Sequence, residues 1–398
     1  MNHTSLFIDK YKKTPDSVAF TPYRICPLGA HVDHQLGKIT GFALDKGIHI
    51  AYGVNNDGII EITSMQFDGT ISWTLSCISD IAVGDWADHL RGATIALGRR
   101  YNLRRGVYAV IEGELPIGGL SSSAAVIITF LTILSKINGI TLTENELIEL
   151  ALEAENKYVG VSCGKLDQCC EVYCRKDKLL YMDLKNDRYE LVSAPDNMPS
   201  YKIAIFFSGI RRSLAGTKYN ARVDEAKAAA CSLLAYSAAD LSDYPEARLV
   251  DVPRDVYTKY RSRISEKLRK RADHFFGECE RVEQGVLAWR RGDIEEFGRL
   301  VFESGKSSIE LWETGSEELK TLYQIMVETP GIYGGRFSGA GFKGCCMAII
   351  DPAYEDEIIC TVRTKYIEKF PHLASDFSAH ICTTADGVRV DNCKGIYL

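Results

Sequence analysis

Residues 116–125 read PIGGLSSSAA, two glycines and three serines set directly before an apolar run that continues to about residue 136. The run is free of Pro and Gly and reads as a helix over about 121–136, entered straight from a glycine turn. Glycine lets a backbone approach a polyphosphate closely, and the first amides of a helix, with its positive dipole end, face whatever anion sits there. Serine hydroxyls can reach the same ligand or a cation bound to it. The stretch lacks the GK[ST] of a P-loop, so the lysine-centred cradle of that fold is excluded. Taken alone, the same letters also describe an ordinary serine-rich helix N-cap.

Outward from this stretch, residues 106–112 (GVYAVIE) alternate as a strand, and Thr143 with Glu146 forms a capping box for a further helix through about 157. Residues 192–200 (VSAPDNMPS) have linker composition, and 201–207 reads as an apolar strand. The expected division is therefore 1–195 and 196–398. From about 256 to 329 the chain is mostly amphipathic helix, and the basic run 267–271 is expected on a solvated face.

Composition narrows the function. The chain has 398 residues, 46% hydrophobic and 25% charged, enough for two cored domains. A formal charge of -6 offers no basic face for nucleic acid. The longest apolar stretch, 124–134, is too short to span a bilayer, and residues 1–16 lack the apolar core of an export signal. Thirteen cysteines without a CxxC pair suit reduced thiols in the cytoplasm. Cys163, Cys169, Cys170 and Cys174 lie close together without a familiar metal-ligand spacing. Small-molecule ligands are expected, and the sequence carries no signal for oligomeric state.

Two more glycine-containing segments bear chemistry. Residues 160–168 (GVSCGKLDQ) carry Asp167 on a turn after a helix holding Glu153 and Glu155. A carboxylate there can take or orient a hydroxyl proton, and another near the helix end can hold a metal. Residues 339–344 (GAGFKG) precede a strand-like CMAII and read as an anion nest or a tight turn.

Together with residues 24–37 (RICPLGAHVDHQLG), these segments in this order resemble the signature of the GHMP kinase superfamily, and within it the galactokinase branch. Arg24, Leu28, Gly29, His31, Asp33 and Gly37 match that branch's R-V-N-L-I-G-E-H-T-D-Y-N-x-G motif. Residues 86–92 (WADHLRG) and 208–222 (SGIRRSLAGTKYNAR) are similar to it as well. The resemblance implies an α+β fold, with a ribosomal S5-like N-terminal domain, a ferredoxin-like C-terminal domain and a site in the cleft between them. It implies phosphorylation of a sugar's anomeric hydroxyl, with ATP and Mg2+.

By position, the resemblance makes Asp167 and Arg24 catalytic. It sets Ala30, His31, Asp33, His34, Gly164 and Tyr219 at the sugar, and Gly118, Gly119, Leu120, Ser121, Ser122, Ser123, Gly339 and Gly341 at the nucleotide. Ser123 and Glu155 fall on its magnesium positions. Trp86 belongs beside the adenine or packs in the core.

The departures point to a different sugar. Galactokinases carry Glu at the place of Ala30, assigned to the C6 hydroxyl. Against an acid at C6 such a Glu would cost about 1 to 4 kcal/mol at 4 Å, which Ala30 avoids. Lys218 replaces Glu, Lys165 an apolar residue and His34 a Tyr, so the site is expected to gain positive charge and donors. The RICPLGAHVDH form is itself similar to the galacturonokinase branch, and a uronic acid, D-galacturonate foremost, is the expected substrate. Galactose is the alternative. A catalytically silent sugar sensor is disfavoured, because residues 121–125, Asp167 and Arg24 are all intact.

Overall fold

The computed structural model describes residues 2–210 and 215–392, apart from the side chains of 215–218 and 392. The first half supplies seven strands of a nine-stranded sheet: β1 (Ser17–Ile25), β2 (Lys38–Asn55), β3 (Ile59–Ser64), β4 (Thr70–Thr74), β5 (Gly106–Gly113), β6 (Lys178–Asp183) and β7 (Arg188–Ser193). The long β2 organises it, pairing with β6 near its start and with β5 near its end. The helix Ser122–Ile137 is apolar nearly all round and is buried against this sheet and its neighbouring helices.

The second half forms an antiparallel sheet from β8 (Lys202–Phe207), β9 (Ile332–Phe337), β10 (Cys345–Ile350) and β11 (Ser378–Cys382), in the order β11-β8-β10-β9. Numbered within this half, that order is 4-1-3-2. With helices between the first two and the last two strands, it is the ferredoxin-like arrangement the resemblance implies. Five helices between 215 and 327 elaborate the first crossover.

Two details depart from expectation. The final described strands, β12 (Thr384–Ala385) and β13 (Arg389–Asn392), pair with β2 and β1, so the first sheet takes residues from both sides of the 195/196 division. One apolar core likewise runs from the first sheet through the helix Glu266–Arg291. In the basic run, Arg271 is not solvated: it is fully buried, pairs with Glu225 at 2.7 Å and lies over the Trp312 ring.

Three local irregularities position the site. The register of β1 against β2 shifts between Pro22 and Arg24, and such a bulge re-aims the side chains beside it. The helix started by the Thr143–Glu146 capping box is α-helical over Glu144–Glu153. It then widens into a π-turn at Ala154–Val159, a distortion frequent at functional sites, which buries Glu155. Asp167 lies in the first turn of the helix Leu166–Tyr173, where the helix dipole favours a carboxylate.

Candidate active site

Two cavities adjoin at Ser123. The first, about 230 Å³, is lined by Arg24, Ala30, His31, Asp33, Ser123, Glu155, Asp167 and Tyr219, and also by Gly339, which the resemblance sets at the nucleotide. Arg24 is its anchor. Its Nε donates to Asp167 Oδ1 at 2.7 Å, and its Nη1 to the Gly119 carbonyl at 3.1 Å and to Ser338 Oγ at 3.4 Å. One buried guanidinium thus joins the acid, the glycine loop and the second sheet, while Asp167 stays partly open to the cavity.

The other carboxylates are perturbed. Burial, then the Asp167 charge, pushes Asp33 up to about 6 and Glu155 up to about 7. Ser123 Oγ donates to Glu155 Oε1 at 2.9 Å, and Gln168 Nε2 to Glu155 Oε2 at 2.8 Å. Ser123 and Glu155 are two hard oxygen donors side by side. That set suits a small hard cation whose remaining ligands are phosphates and water. Among the described residues no group of three or more His, Cys, Asp or Glu forms an all-protein metal cage.

The second cavity, about 350 Å³, is lined by Gly118, Gly119, Ser121, Ser122 and Ser123 on one side and by Trp86, Phe67 and Ile117 among others. Ser121 occupies the N-cap of the helix Ser122–Ile137 at φ 59 and makes no capping hydrogen bond. The first helix amides therefore have no side-chain cap and are available to an anion, with a non-glycine residue held in the left-handed region beside them. Trp86 packs against the core edge and also lines this cavity, stacked on Phe67 at 5.7 Å and 6°.

The segment 339–344 closes onto the glycine-serine loop at 116–125. A Cβ on Gly344 would come within 2.6 Å of the Gly118 carbonyl carbon, and one on Gly339 within 2.8 Å of the Gly119 Cα. Only glycines permit this loop-on-loop contact.

Several expected residues stand behind the cavities rather than in their walls. Gly341 packs on Thr314 and Phe337, and Leu120 points into the core, its carbonyl 3.4 Å from Arg24 N. Gly164 abuts the Asp33 carboxylate, where a Cβ would sit 2.5 Å from Oδ2. His34 lies edge-on to Tyr219 and tilted against Trp312.

Lys165 corrects the charge expectation. It pairs with Asp187 at 3.4 Å and lines neither cavity, because side chains two apart at a helix start point to different faces. The Lys218 side chain and residues 211–214 of the 208–222 segment lie outside the described residues.

Sequence reasoning missed Phe67 and His89 in the second cavity, and Trp312, His274 and Glu278 beneath the first. A signal was available only for the last pair, whose i, i+4 spacing puts them on one helix face.

A glycine-serine anion loop and an acid-guanidinium pair meeting at one serine, on this two-half fold, define a small-molecule phosphotransferase. Comparison with known proteins agrees. Residues 88–175 match the GHMP kinases N terminal domain, and 286–368 match GHMP kinases C terminal. The chain is 37% identical to a galacturonokinase of Arabidopsis thaliana over 94% of its own length and 93% of the relative's. It is 32% identical to a galactokinase of Clostridium perfringens, covering 95% and 96%. The crystal structure of Lactococcus lactis galactokinase complexed with galactose superposes with a TM-score of 0.88 at 26% identity, covering 97% and 98%. The chain belongs to the GHMP kinase family and, within it, to the ATP-dependent sugar kinases. No described helix is long and apolar enough to cross a membrane.

Proposed function

We propose that this protein transfers the γ-phosphoryl group of ATP to the anomeric hydroxyl of a uronic acid, D-galacturonate foremost, giving the 1-phosphate. Ala30 carries the choice of substrate. It lines the same cavity as Arg24 and Asp167, so that wall offers a methyl group where a carboxylate would repel an acid at C6. The likeness to a galacturonokinase supports the same choice. With Lys165 turned away to Asp187, the accommodation rests on the missing carboxylate and not on that lysine. Asp33 and Tyr219 line the cavity at positions suited to reading ring hydroxyls.

In this reading Asp167 accepts or orients the proton of the attacking hydroxyl, and Arg24 holds that carboxylate in place and offsets charge on the transferring phosphoryl. The amides after Ser121 and the loop at Gly118 and Gly119 take the nucleotide phosphates, with Trp86 and Phe67 beside the base. Mg2+, held by Ser123 and Glu155, would neutralise phosphate charge. We assign the protein to the cytoplasm, in keeping with its described cysteines, all of which are free thiols.

Galactose is the second reading, favoured by the 0.88 superposition on a galactose-bound galactokinase. Steady-state assays with galacturonate, glucuronate, galactose and glucose, ATP and Mg2+ separate the two. A higher kcat/KM for galacturonate than for galactose is expected. Preference for galactose would overturn the uronate reading, and no phosphorylation of any sugar would overturn the kinase reading. Ala30→Glu should lower kcat/KM on galacturonate relative to galactose by roughly tenfold or more.

A further inference from the structure

Ala30 lines the first cavity, but its main chain is held from behind by the helix Glu266–Arg291. Glu278 Oε1 accepts from Gly29 N at 2.9 Å and from Ala30 N at 3.4 Å. One turn earlier on the same face, His274 Nε2 lies 3.0 Å from the Ala30 carbonyl. A carbonyl only accepts, so Nε2 is the donor, and Nδ1 then accepts from Ser307 Oγ at 2.8 Å. Both polar groups of Ala30 are therefore taken by two side chains of one helix.

The anchors are themselves fixed. Glu278 is fully buried and bonded through Oε2 to Arg281 at 2.8 Å, with Arg336 3.5 Å from Oε1. Burial raises its pKa, but Arg281 and the other neighbours override this and bring it to about 2, so it is ionised at neutral pH. Burial holds His274 down to about 4, and it is a neutral donor. Their hold has something to resist: His31, the next residue, sits at φ 61, a conformation that costs a non-glycine residue of order 1 kcal/mol or more and persists only where surroundings enforce it.

We propose that His274 and Glu278 are positioning residues for the sugar. By gripping the Ala30 peptide and balancing the strained His31 beside it, they set where the wall of the sugar cavity stands. Discrimination at C6 is thereby controlled from the second half of the chain, without either side chain touching substrate. The inference rests on the assignment of the first cavity to the sugar. A wall displaced by about 1 Å is enough to spoil a reactive alignment.

The test uses the full-length enzyme and whichever sugar it phosphorylates best, so the identity of the sugar leaves it intact. His274→Leu removes the donor at similar volume, while His274→Gln keeps an N–H. His274→Leu should raise the sugar KM roughly tenfold, as expected for a buried carbonyl left unpaired, with the ATP KM within about twofold. His274→Gln should recover most of that loss. Because His274→Leu can fail to fold, Ser307→Ala is the second variant; it removes only the bond that fixes the His274 tautomer and should raise the sugar KM by roughly two- to fivefold. An unchanged sugar KM in folded His274→Leu, or in Ser307→Ala, overturns the proposal, and so does an equal rise in both KM values. A rise in the ATP KM alone would instead overturn the assignment of the cavity.

Discussion

The two cavities that meet at Ser123 are built differently. The second takes its lining from residues 23–126 alone and is largely apolar and aromatic beyond the glycine-serine loop. The first draws Arg24, Asp33, Glu155 and Asp167 from the first half and Tyr219, Phe337, Gly339 and Ala340 from the second. On the proposed assignment the nucleotide side is lined from one half alone, whereas the sugar side is lined from both halves. On that assignment chemistry and sugar selectivity should follow the composite cavity, and nucleotide affinity the simple one.

Asp167→Asn gives the hardest test of that separation. Removing the carboxylate proposed to take or orient the hydroxyl proton should lower kcat by about a thousandfold. Nucleotide binding measured by calorimetry should stay near that of the parent, since Asp167 lines only the first cavity. Near-normal turnover would remove Asp167 from the reaction, and lost nucleotide binding would mean that the cavities are not independent.

Asp33 sharpens the comparison through pH. Its fold-raised pKa of about 6 means that the native state holds the protonated acid up to about pH 6, whereas an ionised carboxylate accepts sugar hydroxyls better. With sugar limiting, kcat/KM should rise with pH through about 6. Asp33→Asn should abolish that inflection and lower kcat/KM by roughly tenfold to a hundredfold. Stability runs the other way. A group whose folded pKa lies above its unfolded value stabilises fully below the ordinary carboxylate range, and that contribution is lost as pH rises through about 6. At pH 8, thermal melting should therefore find Asp33→Asn more stable than the parent, by up to about 3 kcal/mol. A flat pH profile, or a variant less stable at pH 8, would break this account.

The same contrast explains what could be read from sequence. Arg24, Asp167, Ser123 and Glu155 sit in or beside short glycine-rich turns whose local chemistry announces them. The capping box at Thr143 and the strand at 106–113 were equally local. His274 and Glu278 look like polar positions of an amphipathic helix until the fold buries them under Ala30. Phe67, on the connection between β3 and β4, has no local signal, and its role comes from stacking on Trp86. The return of residues 384–392 to the first sheet is a pairing across the whole chain, invisible to any window. Lys165 misled through adjacency: two residues from Asp167 in sequence, it faces Asp187.

The aromatic wall is the mildest test and the most direct one of the nucleotide side. Trp86 and Phe67 lie parallel at 5.7 Å, both partly exposed, so either ring can stack on a base without displacing packed core. Stacking of this kind contributes about 0.5 to 1.5 kcal/mol beyond the area buried, so Trp86→Ala should raise the ATP KM by roughly five- to tenfold. The sugar KM should stay within about twofold of the parent. Phe67→Ala should act in the same direction but less, because it leaves the indole in place; the double variant should lose less than the product of the two single effects, since each ring supports the other. If Trp86→Ala raised the sugar KM instead, the aromatic cavity would not be the nucleotide's, and the division between a one-half and a two-half site would fail at its simpler end.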